Sequence, residues 1–295
     1  MLLRVLGTAA GGGLPQWNCA CPGCAGARAH PQRRRRHASL AVCTEAGRWY
    51  LVNATPDLGD QIEDSPELHP GPGPRQTPVA GVLLTDAELD HTLGLARLRE
   101  ARSVEVLATA PVLTALLDRL SLGEVLGPYT GIEWGELTTL PRPLGELTVS
   151  AVPVSAKRPR YAAGTGTDEP MWSVALRLHD PAARKTLLYA PALAVWSEEF
   201  QEACEGADCV LVDGTFWDDD EPLRAGFSTR TATGMGHLPI AGPGGTAHRL
   251  SALRARCLYT HLNNTNPLGD PGAAEHEQLA AWGLETATDR MVIEL

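Results

Sequence analysis

Apolar, β-branched runs alternate with segments of helical period along most of the chain. Residues 2–7 (LLRVLG) read as a strand, and residues 39–54 (SLAVCTEAGRWYLVNA) as two strands around a turn at Glu45-Ala46-Gly47-Arg48. Residues 80–85 (AGVLLT) predict a short buried strand, followed after a polar loop by a helical pattern over 93–102. VEVLAT then leads into residues 110–120 (APVLTALLDRL), where Pro111 suits the first turn of a helix. LTVSAVPV predicts another strand, and residues 173–190 a hairpin turning near Asp180-Pro181. Residues 197–213 read as a helix capped by Ser197 running into a strand; residues 245–261 repeat that plan, and a helix and a strand close the chain. The Pro/Gly-rich stretch 66–78 is a loop between elements and does not divide the chain. Early hairpins followed by helix–strand units predict an α/β fold in one domain over 1–295. It is a four-layer α/β/β/α sandwich, two sheets face to face with helices outside.

The hydropathy pattern contains no unbroken apolar run of the roughly 18 residues a membrane span needs. The glycines at 11–13 come too early for a signal peptide, so a cytoplasmic protein with no membrane partner is expected. A formal net charge of -10 argues against a nucleic-acid binder, because neutralising phosphates needs a basic face. Arg33-Arg34-Arg35-Arg36 is the exception, read as a solvated loop that could alternatively hold an anion. Seven cysteines is an odd number, and three of them stand in NCACPGC at Cys19, Cys21 and Cys24. In a reducing compartment that spacing reads as a zinc-binding loop at 19–24 before it reads as a disulfide.

Three apolar strands end on acids or imidazoles. AGVLLT runs into Asp86-Ala87-Glu88-Leu89-Asp90-His91, CVLVD ends on Asp213, and RCLYT is followed by His261. Such groups can converge at one edge of the sheets, where loops shape a pocket. An isolated Asp after a strand is more often a turn former or a cap, which is the plain alternative for Asp90. If Asp90, His91 and His261 share one ion, two imidazoles and one carboxylate leave positions open. That suits non-haem Fe(II) with O2, and also a hydrolytic zinc.

The blocks VLGTAAGGGLPQWNCACPGC, LVNATPDLGDQI, TDAELDHTLGL, VLVDGTFWDDDE, MGHLPIAGPGG and THLNNTNP occur in order from end to end of the chain. On them the sequence resembles the coenzyme PQQ synthesis protein B (PqqB) family of the metallo-β-lactamase superfamily, which implies the sandwich fold already predicted. TDAELDH sits where the superfamily has HxHxDH. Asp86 and Glu88 replace the first two histidines, Asp90 and His91 are kept, and Asp213 and His261 match the late acid and histidine. Another histidine of the superfamily has no counterpart around residues 152–161, so the resemblance disfavours a two-zinc hydrolase.

The resemblance implies an iron-dependent, O2-using hydroxylase. Its substrate would be small and aromatic, the tyrosine-derived ring of a crosslinked glutamate–tyrosine intermediate in pyrroloquinoline quinone biosynthesis or a close analogue. A mononuclear zinc hydrolase and a non-catalytic carrier of the quinone or its precursor are the alternatives. His237, in the glycine-rich GMGHLP, is the candidate proton-transfer or substrate-positioning group, and Asp213 the acid that hydrogen-bonds a metal-bound water or orients a metal ligand. In the superfamily's phosphodiesterases of phosphonate breakdown, a similar cysteine loop is completed by a histidine three residues after the late metal-binding one. Here that position is Asn264, the candidate fourth zinc ligand. GPGG at 242–245 is expected to open a helix, Trp17, Trp49 and Trp217 are expected in the core or a pocket wall, and a homodimer stands beside a monomer as the assembly. The arginine run departs from the family's more polar segment, which leaves a substrate from a related pathway open.

Overall fold

The structure, a computed structural model, describes residues 1–164 and 170–295. Among the described residues there are fourteen strands: β1 (Leu2–Gly7), β2 (Ser39–Glu45), β3 (Arg48–Val52), β4 (Val79–Leu83), β5 (Ser103–Ala108), β6 (Gly131–Glu136), β7 (Arg142–Leu144), β8 (Leu147–Ser155), β9 (Ser173–Asp180), β10 (Lys185–Ala190), β11 (Cys209–Asp213), β12 (Arg256–Thr260), β13 (Glu285–Thr286) and β14 (Val292–Glu294). They form two seven-stranded sheets, ordered β14-β1-β2-β3-β4-β5-β6 and β13-β12-β11-β10-β9-β8-β7.

Period-2 patterning explains the layers. In β1, Leu3 and Val5 face the core between the sheets, while Leu6 faces the outer helical layer; in β10, Leu187 and Tyr189 point inward and Leu188 and Ala190 outward. A central core therefore lies between the sheets and two further apolar layers lie outside them, which makes the α/β/β/α sandwich. Strands β3 to β6 run parallel, as do β10 to β13, so the loops following β4, β11 and β12 leave from carboxyl ends at one edge. Ser197 caps the helix Glu198–Glu205, its hydroxyl accepting from Phe200 N at 3.1 Å.

Several local expectations are corrected. The helix opened by Pro111 is regular only over Ala110–Thr114 and widens to a π-type turn over Ala115–Arg119, and the helical pattern after residue 93 is a 3-10 segment, Leu93–Glu100. The helix expected before β12 is one turn, Ala247–Leu250, so GPGG opens no helix long enough to bind an anion. Trp49 and Trp217 are buried, but Trp17 is 88% exposed.

The arginine run is only partly solvated, with Arg34 exposed and its three neighbours half-buried. Arg33 pairs with Asp270, Arg34 donates to the Ala27 carbonyl, and Arg36 pairs with Asp60 at 2.7 Å. Arg35 reaches inward to Thr8 Oγ1 at 2.9 Å and the Ala287 carbonyl at 3.1 Å. Arg33, Arg35 and Arg36 thereby staple distant segments of the chain, while Arg34 stays exposed. Among the described residues, no helix is long and apolar enough to cross a membrane.

Candidate metal and substrate site

Asp90 and His91 lie on a single helical turn, Leu89–Thr92, directly after the loop that leaves β4. That turn is held against β3, because Ala54 N donates to the His91 carbonyl at 2.7 Å. Asn53, in the left-handed region at φ 67°, accepts from Thr85 N through its side-chain oxygen at 3.0 Å. Asp90 caps nothing: the residue before the turn is Glu88, whose side chain makes no capping bond. His261 follows β12 at φ 58°, a conformation that non-glycine residues rarely hold unless their surroundings fix it. The fixing bonds come from the next residue, with Leu262 N donating to the Thr8 carbonyl at 2.8 Å and Ala10 N to the Leu262 carbonyl at 2.9 Å.

The three predicted ligands meet. Asp90 Oδ2 stands 3.7 Å from His91 Nε2 and 3.7 Å from His261 Nε2, and the two rings are 5.4 Å apart between centroids. These separations are too long for hydrogen bonds and close to the spacing of donor atoms about one ion at roughly 2.1 Å. Each imidazole is held from behind through Nδ1. His91 Nδ1 lies 2.7 Å from Asp86 Oδ2, and His261 Nδ1 lies 2.8 Å from Thr215 Oγ1, whose own hydrogen goes to Asp213 Oδ1 at 2.6 Å. Both Nε2 atoms are thereby left as the nitrogens available to a metal. His91 Nε2 is buried and has no hydrogen-bond partner, the state expected of a ligand atom and costly otherwise.

Electrostatics agree with a cation-binding floor. Burial opposes ionisation of Asp90, but the His91 and His261 imidazoles hold its carboxyl well below the usual carboxylate range. Burial also opposes charge on His91, yet the Asp86 and Asp90 carboxylates push it up to about 9. For His261 burial dominates and lowers the pKa. The site thus gathers two anionic oxygens behind and beside its imidazoles, a field that a bound cation would satisfy.

The remaining candidates separate by position. Asp86 is not placed as a ligand, since Oδ2 is shared by His91 and Thr85 and Oδ1 accepts from Glu88 N at 2.9 Å. Glu88 instead lines the cavity with its side chain, and burial, reinforced by Asp86, raises its pKa. Asp213 is fully buried behind the site and does not reach the cavity. Its four acceptor positions are taken by Thr215 N, Thr215 Oγ1, Leu193 N and His237 Nδ1. It positions His237, whose Nδ1 is 2.7 Å away, and leaves His237 Nε2 as the nitrogen available to the cavity. That accounting also argues against a second ion held by Asp213, His237 and His261, the other grouping near the site. Thr215, which bridges Asp213 and His261, went unrecognised in the sequence; the only signal for it was its place two residues past a strand-end acid.

The cavity above this floor has a volume of about 610 Å³. Lys157, Arg160, Tyr161, Phe216, Phe227 and Met235 are among the residues that line it, and Lys157 reaches across to donate to the Met235 carbonyl at 2.7 Å. Tyr161 ties its loop to the ligand-bearing segment by donating to the Ala87 carbonyl at 2.6 Å.

Cys19, Cys21 and Cys24 form a second cluster, their sulfurs within 4.8 Å of one another and none in a disulfide. The Asn264 side-chain amide caps it, with Nδ2 at 3.1, 3.4 and 3.3 Å from the three sulfurs. Oxygen and nitrogen of an amide are exchanged by a simple flip, so Asn264 can equally offer Oδ1 at this vertex. The donor set and its near-tetrahedral crowding fit a structural zinc.

Comparison with known proteins agrees with this fold. Residues 48–262 match the family model of a beta-lactamase superfamily domain. The chain is similar to the coenzyme PQQ synthesis protein B of Azoarcus sp. (strain BH72), at 41% identity over 100% of both chains, and to that of Pseudomonas aeruginosa (strain LESB58), at 38% over 100% of both. Among solved structures it resembles Zn(2+)-bound PqqB from Methylobacterium extorquens, with a TM-score of 0.91, 33% identity and full coverage of both chains. A diphosphatase from the PhnP family, 18% identical at a TM-score of 0.71 over 100% of this chain and 97% of that one, shares the fold.

Proposed function

The chain belongs to the coenzyme PQQ synthesis protein B family of the β-lactamase superfamily, and from that premise we propose that it is a non-haem iron hydroxylase acting with O2 on a tyrosine-derived aromatic ring in pyrroloquinoline quinone biosynthesis. The observation that carries this reading is the one-sided convergence of Asp90, His91 and His261, with His91 Nε2 buried and unpartnered. Two imidazoles and a carboxylate on one face are the donor set that suits Fe(II) and leaves room for O2 and substrate together. When bound, iron would supply O2 activation, so that one oxygen atom would enter the ring and the other would leave as water, with two electrons and two protons drawn from an external reductant.

The protein's own groups do the rest. Asp86 and Thr215 fix the tautomers and ring planes of His91 and His261. His237, steered by Asp213, presents Nε2 to the cavity, where it can accept a phenolic proton from a bound substrate. Phe216 and Phe227 stack at 6.3 Å and 26° and give the cavity an apolar face.

The use of Asp86 as a support for His91 favours this reading over a two-metal hydrolase, which needs imidazoles where Asp86 and Glu88 stand. Zinc in the Methylobacterium relative belongs to that protein's structure; here zinc is assigned to the cysteine cluster and iron to the triad, in a protein expected to work in the cytoplasm. Anaerobic loading with Fe(II), followed by O2 and a tyrosine-derived phenol, tests it. The expected result is O2 consumption with a product heavier by one oxygen atom, and none from zinc-loaded protein. Turnover by the zinc form without O2 would overturn it.

A further inference from the structure

The arginine run ends on His37, a half-buried histidine that the reaction proposed above does not use. Its backbone is fixed on both sides. Ala9 N donates to the Arg36 carbonyl at 2.7 Å, Ala38 N to the Ala9 carbonyl at 2.8 Å, and Gln61 Nε2 to the His37 carbonyl at 2.8 Å. The ring stands between two acceptors. Nε2 donates to the Gly11 carbonyl at 3.3 Å, and Nδ1 faces Asp57 Oδ2 at 3.1 Å, an ion pair more than an aligned hydrogen bond.

Asp57 is committed to this histidine. It stands at the start of the helix Leu58–Glu63, where an aspartate ordinarily caps, yet its side chain makes no capping bond. Instead Oδ2 accepts from His37 N at 3.2 Å and Oδ1 from Thr55 Oγ1 at 2.7 Å. Burial opposes charge on His37, but Asp57 outweighs it and raises the pKa, which favours the form with a hydrogen on each ring nitrogen.

The ring holds the turn Ala10–Gly13, which is closed by Gly13 N donating to the Ala10 carbonyl at 2.8 Å. Gly13, at φ 68°, leaves it room, since an added Cβ would lie 3.4 Å from His37 Cε1. Ala10, Gly11 and Gly12 line the cavity while His37 and Asp57 do not, so the turn is gripped from behind. On its other side Gly11 packs on Asp90, where an added Cβ would meet Oδ2 at 3.1 Å. His91 and His261 each have a side chain supporting Nδ1, whereas the Asp90 carboxylate has this glycine against it.

We propose that His37 is a positioning residue for the triad: held by Asp57, it fixes the Gly11 peptide, and Gly11 keeps the Asp90 carboxylate turned toward His91 and His261. This role rests on the reading of Asp90 as a metal ligand given above. His37 itself touches neither the ion nor the cavity.

The test uses protein with zinc in its cysteine cluster, into which Co(II) is titrated against a chelator, the visible bands of Co(II) reporting the geometry at the triad. H37A should weaken Co(II) binding about tenfold, the lower end of the range for groups behind metal ligands, and should shift the bands. Zinc in the cluster, on the same N-terminal segment, should be held as in wild type. H37Q, whose amide can still donate to the Gly11 carbonyl, should recover most of the affinity and the spectrum. H37N, with that amide on a shorter stem, should behave as H37A, so the comparison with H37Q stands even where H37A unfolds. Normal Co(II) affinity and bands in folded H37A or H37N, equal loss of both metals, or an H37Q no better than H37N would overturn the role. Wild-type protein that takes no Co(II) at the triad would remove the metal site and this role together. Failure of the iron form to consume O2 with the Co(II) series intact would remove only the hydroxylase reading.

Discussion

Asp86 Oδ2 lies 2.7 Å from His91 Nδ1, so an acid at a position where the superfamily has a metal-binding histidine serves here as the support of another ligand. The pair is fully buried, and burial, which raises the Asp86 pKa, is outweighed by His91, which keeps the carboxyl ionised. Asp86→Ala removes the acceptor that fixes the His91 tautomer while leaving all three ligands in place. Metal affinity at the triad should fall by roughly 10- to 100-fold, as for other carboxylates behind metal-bound histidines. Competition titration with a chelator measures it, and unchanged affinity would show that Asp86 is only a strand-end turn residue.

Gly11 packs against the other side of the same centre. A Cβ there would meet Asp90 Oδ2 at 3.1 Å and Cγ at 3.2 Å, tighter than ordinary contact. Gly11→Ala must push the Asp90 carboxylate away by a few tenths of an ångström or move the loop. The expected outcome is weaker triad metal binding, by at least a few fold, at nearly wild-type melting temperature; Gly47→Ala, where a Cβ meets nothing but φ is 75°, is the control for a purely conformational cost.

The carboxyl ends of β4, β11 and β12 were legible because each buried apolar run stops abruptly on an acid or an imidazole, and Asp90, His91 and His261 do converge. The role of Asp86 was not, since a carboxylate that supports a histidine and one that binds an ion look alike in one dimension. Strand β6 escaped for a different reason: Gly131, Glu133, Gly135 and Glu136 have poor strand propensity, and only its position at a sheet edge makes them acceptable. Likewise Arg35 is indistinguishable in sequence from the arginines around it. Its contacts to Thr8 and Ala287 span 27 and 252 residues, and only the closed sandwich brings them together.

Glu221 fastens two loops of the site edge, with Oε2 accepting from Trp217 N and Oε1 from Thr265 Oγ1, both at 2.6 Å. Burial pushes its pKa up from 4.5 to about 7, against the lowering effect of those two bonds. Between these values the unfolded chain gives up a proton that the folded protein keeps. This stabilising contribution is complete in acid and disappears as pH rises through about 7, at a cost of up to roughly 3 kcal/mol. Glu221→Gln preserves the neutral shape. Its stability should therefore be flatter than wild type between pH 5 and 8 and higher at pH 8, as read from urea unfolding at each pH.

The cysteine cluster packs against Asn264, three residues beyond His261. The helix Pro22–Ala29 starts at Cys21, and Gly23 approaches so closely that a Cβ there would stand 2.2 Å from the Asn264 carbonyl oxygen. Cys21 Sγ also lies 3.4 Å from that oxygen, so the N-terminal loop and the loop after His261 are packed as one unit. A zinc ion held by the three thiolates would fix the Asn264 backbone and, through it, the unusual φ of His261. Cys21→Ala should lower the melting temperature and weaken iron binding at the triad together. Asn264→His, which supplies a stronger fourth ligand, should raise zinc affinity without disturbing the triad. Metal content after graded chelation, measured with the melting curve on the same samples, decides the matter. Loss of zinc at full iron occupancy and unchanged iron affinity would show that the clamp serves only the N-terminal loop.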